Sequence, residues 1–154
     1  MRRPLALLTL VLLPAAALSA QGPPGSATAL ATQIKERYTK REVRIRVRDG
    51  AQLFTSIYVP KDTTRRYPVL MSRTPYSVAP YGADYKTTLG PSSNPKWVED
   101  GYIFVGQDVR GRNFSEGVFR DMTPILEKHD RPTDVDEGTD AYDTIDWLVK
   151  NLPT

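Results

Sequence analysis

Catalytic side chains are scarce in this 154-residue sequence, which has no cysteine and a single histidine, His129. His129 lies in the charged segment LEKHDRPTD, where it is either a catalytic base or a solvent-exposed loop residue. The charged neighbours favour the loop interpretation. No G-x-S-x-G motif, which would place a nucleophilic serine on a strand-to-helix turn, occurs in the sequence. The sequence therefore encodes no complete Ser-His-acid triad.

Carboxylates are concentrated between His129 and Asp146, in the segment HDRPTDVDEGTDAYDTID. A calcium-binding loop needs oxygen ligands at fixed, mostly alternating positions around a central glycine, and this segment does not have that spacing. An acidic helix N-terminus explains the cluster instead, with Asp136 or Thr139 as the N-cap. We therefore expect neither a metal ion nor a cofactor.

The segment DVRGRNFSEG (residues 108–117) lacks both the G-x-G-x-x-G and the P-loop patterns, so it is interpreted as a tight turn after a strand. Arg110 or Arg112 is expected to pair with a nearby acidic side chain, and Asp108 and Arg110 are expected to brace the strand end. The residues expected to shape the turn are Gly111, Ser115 and Gly117.

Tyr76 is the other chemical candidate, in the segment RTPYSVAPYG (residues 73–82). It follows the apolar run YPVLMS, and α/β sheets place their active sites at the carboxyl ends of parallel strands. A neutral phenol donates one proton and remains un-ionised at neutral pH, which suits it to stabilising an oxyanion. Position alone favours ordinary loop packing, so both interpretations stay open on these residues.

Several elements must position these residues. Alternation of Val43, Ile45 and Val47 with arginines predicts a half-buried strand, and Asp-Gly at 49–50 predicts a hairpin turn into a return strand that Pro60 ends. Residues 67–72 and 102–109 are short and continuously apolar, which is typical of strands buried on both faces. Between them, PKWVEDG predicts a short helix that ends at Gly101.

The last predicted element is a helix over residues 138–150, which Asn151 and Pro153 end. Its acidic side chains Asp140, Asp143 and Asp146 share one side, which we expect to face solvent. The opposite, apolar face is expected to pack on the core and consists of Ala141, Tyr142, Ile145, Leu148 and Val149.

A buried strand, a helix and a second buried strand together predict a right-handed crossover and parallel pairing. The expected fold class is α/β: an antiparallel hairpin that leads into parallel strands. Such a sheet needs helices on both faces, and the final helix should be followed by another buried strand. We therefore expect the amino-terminal portion of an α/β domain that stops short of the full sheet.

The first twenty residues predict a secretory signal peptide, with a positive start, the apolar run LALLTLVLL and small residues after it. Cleavage is expected after Ala17, Ser19 or Ala20. The run is too short for a stable membrane span after cleavage, and a secreted or periplasmic location follows. Residues 21–40 are expected to form a linker with one or two helical turns at 33–40, and residues 41–154 are expected to form the α/β domain.

Charge gives little reason to expect nucleic acid as a partner. Removing Arg2 and Arg3 with the signal peptide lowers the 21 basic residues to 19, against 18 acidic ones. The arginines of REVRIRVRDG are then the solvent-facing side of a strand rather than a phosphate-binding patch.

Four motifs in this order resemble the amino-terminal part of the cocaine esterase, α-amino-acid ester hydrolase and X-Pro dipeptidyl-peptidase group of serine hydrolases. They are VRDGAQLFTSIYVP, YPVLMSRTPY, WVEDGYIFVGQDVRGRNFSEG and DEGTDAYDTIDWLVKNLP. The resemblance runs from about Glu42 to Pro153. WVEDGY and the long acidic segment are closest to the α-amino-acid ester hydrolases.

The resemblance implies an α/β-hydrolase acting on a small-molecule ester or a short peptide through an acyl-serine intermediate. It makes Tyr76, in the motif from Arg73 to Tyr76, an oxyanion-hole donor, with Arg73 and Pro75 setting its backbone. In the family the nucleophile elbow G-x-S-Y-x-G follows the DTIDWL helix, and the catalytic acid, the histidine, a helical cap and a jelly-roll domain come later. We therefore expect a chain that ends before the nucleophile and is inactive alone. The alternative is a non-catalytic secreted β-rich binding module; the oligomeric state is open.

Overall fold

The computed structural model describes residues 26–121 and 125–153. The predicted signal peptide lies outside the described residues. The helices are α1 (Ser26–Arg37), α2 (Lys96–Asp100) and α3 (Glu137–Asn151), and a 3₁₀ turn spans Pro91–Ser93. The strands are β1 (Tyr38–Arg46), β2 (Gln52–Pro60), β3 (Val69–Thr74) and β4 (Ile103–Asp108).

The four strands form one mixed sheet in the order β1-β2-β4-β3. β1 and β2 form the predicted antiparallel hairpin, and β2 also pairs antiparallel with β4. β3 and β4 pair parallel, with α2 in the crossover between them. The predicted α/β class, with a hairpin that leads into parallel strands, is confirmed.

Burial follows the position of each strand in the sheet. β2 and β4 lie in the centre and are buried on both faces. The prediction that the third strand is also buried on both faces is wrong, since the residues of β3 are only partly buried or exposed. Within the described residues β3 is an edge strand, because β4 is its one hydrogen-bonded neighbour there.

The helix before the sheet is longer than the expected turns at 33–40. It begins at Ser26, inside the expected linker, and ends at Arg37, because Tyr38 already belongs to β1. Leu30 and Ile34 are spaced to share one side of the helix, and both are buried. They pack with Tyr38, Tyr58 and other residues on one face of the sheet.

α3 packs on the opposite face of the sheet, where Leu148 joins Ile57 and Val105 in a second core. The predicted orientation of this helix is wrong for most of its apolar residues. Tyr142, Ile145 and Val149 are 68%, 50% and 62% exposed. The buried side instead carries Asp140, Thr144 and Leu148, because Arg110 in the turn after β4 holds Asp140 inward and Gln107 on β4 holds Thr144 inward.

The N-terminus of α3 is fixed by a capping box around Asp136. The Asp136 carboxylate accepts hydrogen bonds from Thr139 N at 2.7 Å and Leu126 N at 2.9 Å, and it lies 3.0 Å from His129 Nε2. Burial alone would raise the pKa of Asp136. The hydrogen bonds outweigh burial and hold the pKa well below its usual range. His129 is thus bound to a helix cap.

Replacing Asp136 with alanine should lower the free energy of unfolding by about 1–2 kcal/mol at pH 7, since α3 loses its N-cap. Because the pKa of Asp136 is lower in the folded chain, its stabilisation is complete above about pH 4 and is lost as the pH falls further. Urea unfolding at pH 7 and at lower pH measures both effects.

The matched control is Asp146→Ala, which removes an exposed pair with Lys150 in the same helix and should cost under about 0.5 kcal/mol. Equal losses for the two variants would contradict the assignment of Asp136 as the cap.

Candidate oxyanion site at the end of strand β3

Tyr76 lies just beyond the carboxyl end of β3, which stops at Thr74. Its backbone N–H donates to Thr74 Oγ1 at 3.1 Å, and its side chain projects outward, 87% exposed. In the described part of the chain no residue forms a hydrogen bond with its hydroxyl. The phenol is therefore a free proton donor at the end of the sheet where an α/β active site would lie.

The backbone after Tyr76 adopts a conformation that few residues other than glycine adopt. Ser77 has φ +99°, and the Ala79–Pro80 peptide bond is cis. Ala79 N donates back to Ser77 Oγ at 3.1 Å. A non-glycine residue at positive φ costs about 1–3 kcal/mol and persists only where its surroundings determine it. The segment from 75 to 86, which we call the Tyr76 loop, is therefore a defined structure.

Asp108 anchors the Tyr76 loop to the end of β4. Its fully buried carboxylate accepts hydrogen bonds from Val78 N at 3.0 Å, from the Tyr81 hydroxyl at 3.0 Å and from Asn113 Nδ2 at 3.2 Å. These three donors replace the water that the carboxylate loses on burial. Asp108 thus braces the strand end through the loop.

Tyr81 is the loop residue whose side chain reaches Asp108. Burial, together with the adjacent Asp108 carboxylate, raises the pKa of the Tyr81 phenol, so it remains a donor at neutral pH. Its ring packs edge-on against Phe54 and Phe114, with centroids 5.2 and 4.5 Å away. No spacing rule links these rings in the sequence, because they come from β2 and the 108–117 turn.

Arg73, near the end of β3, connects the strand to the first turn of α3. Its Nε donates to Gln107 Oε1 at 2.8 Å, and its Nη1 donates to the Glu137 carbonyl and carboxylate at 2.9 and 2.7 Å. Its Nη2 lies 3.8 Å from Asp140 Oδ2. The side chain is only 12% exposed, so these contacts fix the strand end that leads to Tyr76.

Arg110 pairs with two acidic side chains at once. It lies 2.7 Å from Asp140 on α3 and 2.7 Å from Asp49 in the hairpin turn. Hydrogen bonds from the guanidinium to both carboxylates outweigh burial and raise the pKa of Arg110 further. Arg112 instead donates to the Pro75 carbonyl at 3.1 Å, directly before Tyr76.

The 108–117 turn is held together by hydrogen bonds between its own residues. Ser115 Oγ donates to the Asp108 carbonyl at 2.6 Å, and Gly111 N donates to the Glu116 carbonyl at 2.9 Å. Gly111 has φ +68°, and a Cβ atom there would lie 2.1 Å from Phe119 N. Both the dihedral angle and the space require glycine at this position.

Among the described residues, no group of three or more His, Asp or Glu side chains is arranged to hold a metal ion. In the same ranges, no helix is both long enough and apolar enough to cross a membrane.

Gly111→Ala should destabilise the chain by at least about 2 kcal/mol more than Gly82→Ala does. Both glycines have φ near +70°, so each alanine incurs a backbone cost of about 1–2 kcal/mol. At Gly82 the space around the new methyl group is open, whereas at Gly111 it meets backbone. Chemical unfolding of the two variants measures the difference, and equal losses would show that the turn does not close as described.

Residues 49–154 match the X-Pro dipeptidyl-peptidase (S15) family. The chain is 32% identical over 111 residues to a cocaine esterase of Rhodococcus sp. (strain MB1 Bresler). The aligned region covers 70% of this chain and 16% of the esterase.

Two solved structures are similar over 90% of this chain. An α-amino acid ester hydrolase has a TM-score of 0.57 with 37% identity, and an aminopeptidase from a marine sediment archaeon, Thaumarchaeota archaeon, has a TM-score of 0.58 with 35% identity. This chain spans 22% of each of them. Its sheet corresponds to the amino-terminal part of their fold, and the chain belongs to the X-Pro dipeptidyl-peptidase S15 family of esterases and peptidases.

Proposed function

We propose that this chain forms the oxyanion side of the active site of an exported serine hydrolase that cleaves esters or amides. The observation that carries the proposal is the Tyr76 hydroxyl, exposed and without a partner among the described residues, at the carboxyl end of a parallel strand. Asp108, Arg73 and Arg112 fix the backbone on both sides of it. These contacts fix the backbone that carries the donor before charge develops on a substrate.

The reaction is acyl transfer to serine. The serine oxygen attacks the carbonyl carbon, its proton passes to a histidine base, and the carbonyl π electrons move onto oxygen. The Tyr76 phenol donates a hydrogen bond to that oxyanion. In this family the second donor is the backbone N–H after the nucleophile. The carbonyl re-forms as the alcohol or amine leaves with a proton, and water then releases the acid.

The nucleophile and its base come from polypeptide other than these 154 residues. The sequence has no G-x-S-x-G elbow, and among the described residues no serine hydroxyl is hydrogen-bonded to His129, which contacts Asp136 at the start of α3. We therefore propose that the chain alone is inactive, and that residues 1–20 direct export to a secreted or periplasmic location.

The relatives support a proposal for the substrate class. A cocaine esterase, an α-amino acid ester hydrolase, an aminopeptidase and the X-Pro dipeptidyl-peptidases act on acyl groups joined to oxygen or nitrogen. We propose the same for the enzyme containing this chain, with α-amino acyl esters or X-Pro peptides as the specific candidates. A phenol donor suits either leaving group because it contacts only the carbonyl oxygen.

The purified 154-residue chain should not react with a fluorophosphonate probe, because the sequence has no G-x-S-x-G elbow and no serine of the described residues is hydrogen-bonded to His129. Intact-mass spectrometry after incubation measures this, with an active serine hydrolase as the positive control and heat-denatured chain as the background. Stoichiometric labelling of one serine in the folded chain would overturn the proposal that the nucleophile comes from elsewhere.

Tyr76 itself can be tested in a chimeric hydrolase, in which residues 26–153 of this chain replace the corresponding segment of the α-amino acid ester hydrolase. Tyr76→Phe should lower kcat by about 10²–10³-fold, the usual cost of removing one oxyanion donor. Steady-state kinetics with an amino acid ester measures the change.

The matched control is Tyr142→Phe, which removes the hydroxyl of another exposed tyrosine, on α3, and should leave kcat within about twofold. A Tyr76→Phe chimera as active as the parent would refute the oxyanion assignment.

A further inference from the structure

Lys40 on β1 lies at the centre of four oxygen atoms. Its Nζ is 2.7 Å from the Pro80 carbonyl, 2.8 Å from the Gly82 and Asp84 carbonyls, and 2.7 Å from Glu42 Oε1. The side chain is 3% exposed, although lysine is rarely buried unless it is paired. Three of the four oxygens belong to the Tyr76 loop.

Three backbone carbonyl oxygens and one carboxylate oxygen surround the Lys40 ammonium. Oxygen atoms of these kinds also coordinate small metal cations in proteins. A lysine ammonium supplies three N–H donors and a positive charge, so it can satisfy converging acceptors that would otherwise repel one another. The Tyr76 loop therefore closes around an internal cation, which the chain itself provides.

Two further contacts join the same strand to the same loop. Glu42 Oε1 also accepts a hydrogen bond from Gly82 N at 2.9 Å, and Lys40 N donates to the Tyr85 hydroxyl at 3.1 Å. Glu42 thus binds both the ammonium and the backbone that the ammonium organises.

The loop is held from two independent directions. Asp108, at the end of β4, binds Val78 and Tyr81, and Lys40 binds the carbonyls that follow. Tyr76 opens this loop, next to the strained Ser77. If the ammonium is lost, the Asp108 and Arg112 contacts with the loop remain, but the carbonyls of residues 80, 82 and 84 lose the donor that they share, and the backbone there is free to relax.

We propose that Lys40 is a positioning residue that acts through the Tyr76 loop, serving as a built-in cation that fixes the loop backbone from which the Tyr76 side chain projects. The catalytic part of this inference rests on the proposed function. The structural part, the closure of the loop around an ammonium, does not.

Hydrogen exchange in the 154-residue chain tests the closure. In Lys40→Met, which keeps an apolar side chain of similar length, exchange of the Gly82 amide should rise at least about tenfold, while exchange at Val105 in β4 stays unchanged. The matched control, Lys150→Met on exposed α3, should change neither. An unchanged exchange rate in the loop, or a rise no larger than the rise at Val105 in β4, would overturn the proposal that the loop closes around the ammonium.

The catalytic role is tested in the chimeric hydrolase with Lys40→Ala. Its kcat should fall by about ten- to a hundredfold with KM within about twofold, because the donor is misplaced but still present. Added n-propylammonium should restore kcat by refilling the site, whereas tetramethylammonium, which has no N–H group, should not.

A double-mutant cycle separates this inference from the proposed function. If Lys40 acts through Tyr76, Lys40→Ala causes no further loss in the Tyr76→Phe background. Equal losses in both backgrounds, or no rescue by the amine, would overturn the positioning role. A Tyr76→Phe variant with full activity would instead refute the oxyanion assignment, and the exchange result would still decide whether Lys40 closes the loop.

Discussion

The buried carboxylate of Asp140 is the constraint on which the rest of the structure depends. It is 1% exposed, pairs with Arg110 at 2.7 Å and lies 3.8 Å from Arg73. A buried carboxylate left without its cation costs about 3–5 kcal/mol, so the helix that carries Asp140 must face these arginines. One residue thereby joins α3, the ends of β3 and β4 and, through Arg110, the hairpin turn at Asp49.

The same constraint explains why α3 presents apolar residues to solvent. With Asp140 facing inward, residues four and eight positions later, Thr144 and Leu148, also face the sheet. Thr144 accepts a hydrogen bond from Gln107 Nε2 at 3.0 Å, and Gln107 in turn accepts one from Arg73. The polar network, and not the most apolar side of α3, therefore determines which side of the helix faces the sheet.

The strands, the hairpin and the parallel crossover were predictable because each depends on local periodicity and turn chemistry. The rotation of α3 about its axis was not predictable. An aspartate in a helix is expected to face solvent, and the sequence does not show that Arg110 lies next to Asp140 in the fold. The edge position of β3 depends on the order of the strands in the sheet, which the pattern of apolar and polar residues along one strand does not predict. The Lys40 site has no sequence signature at all, because three of its four ligands are backbone carbonyls. The position of Tyr76 after an apolar run made it a candidate, but only the resemblance of its flanking motifs favoured an oxyanion donor over loop packing. Its catalytic role stays a prediction.

The central claim is that this framework holds the Tyr76 hydroxyl where an oxyanion forms, and a crystal structure of the chimeric hydrolase with a boronic acid bound to its serine tests it most directly. The tetrahedral boronate mimics the acyl-transfer intermediate. We predict that Tyr76 Oη lies about 2.7–3.1 Å from one boronate oxygen, the range for an oxyanion donor. A Tyr76 side chain that remains turned to solvent, with that oxygen bound by other donors alone, would contradict the claim.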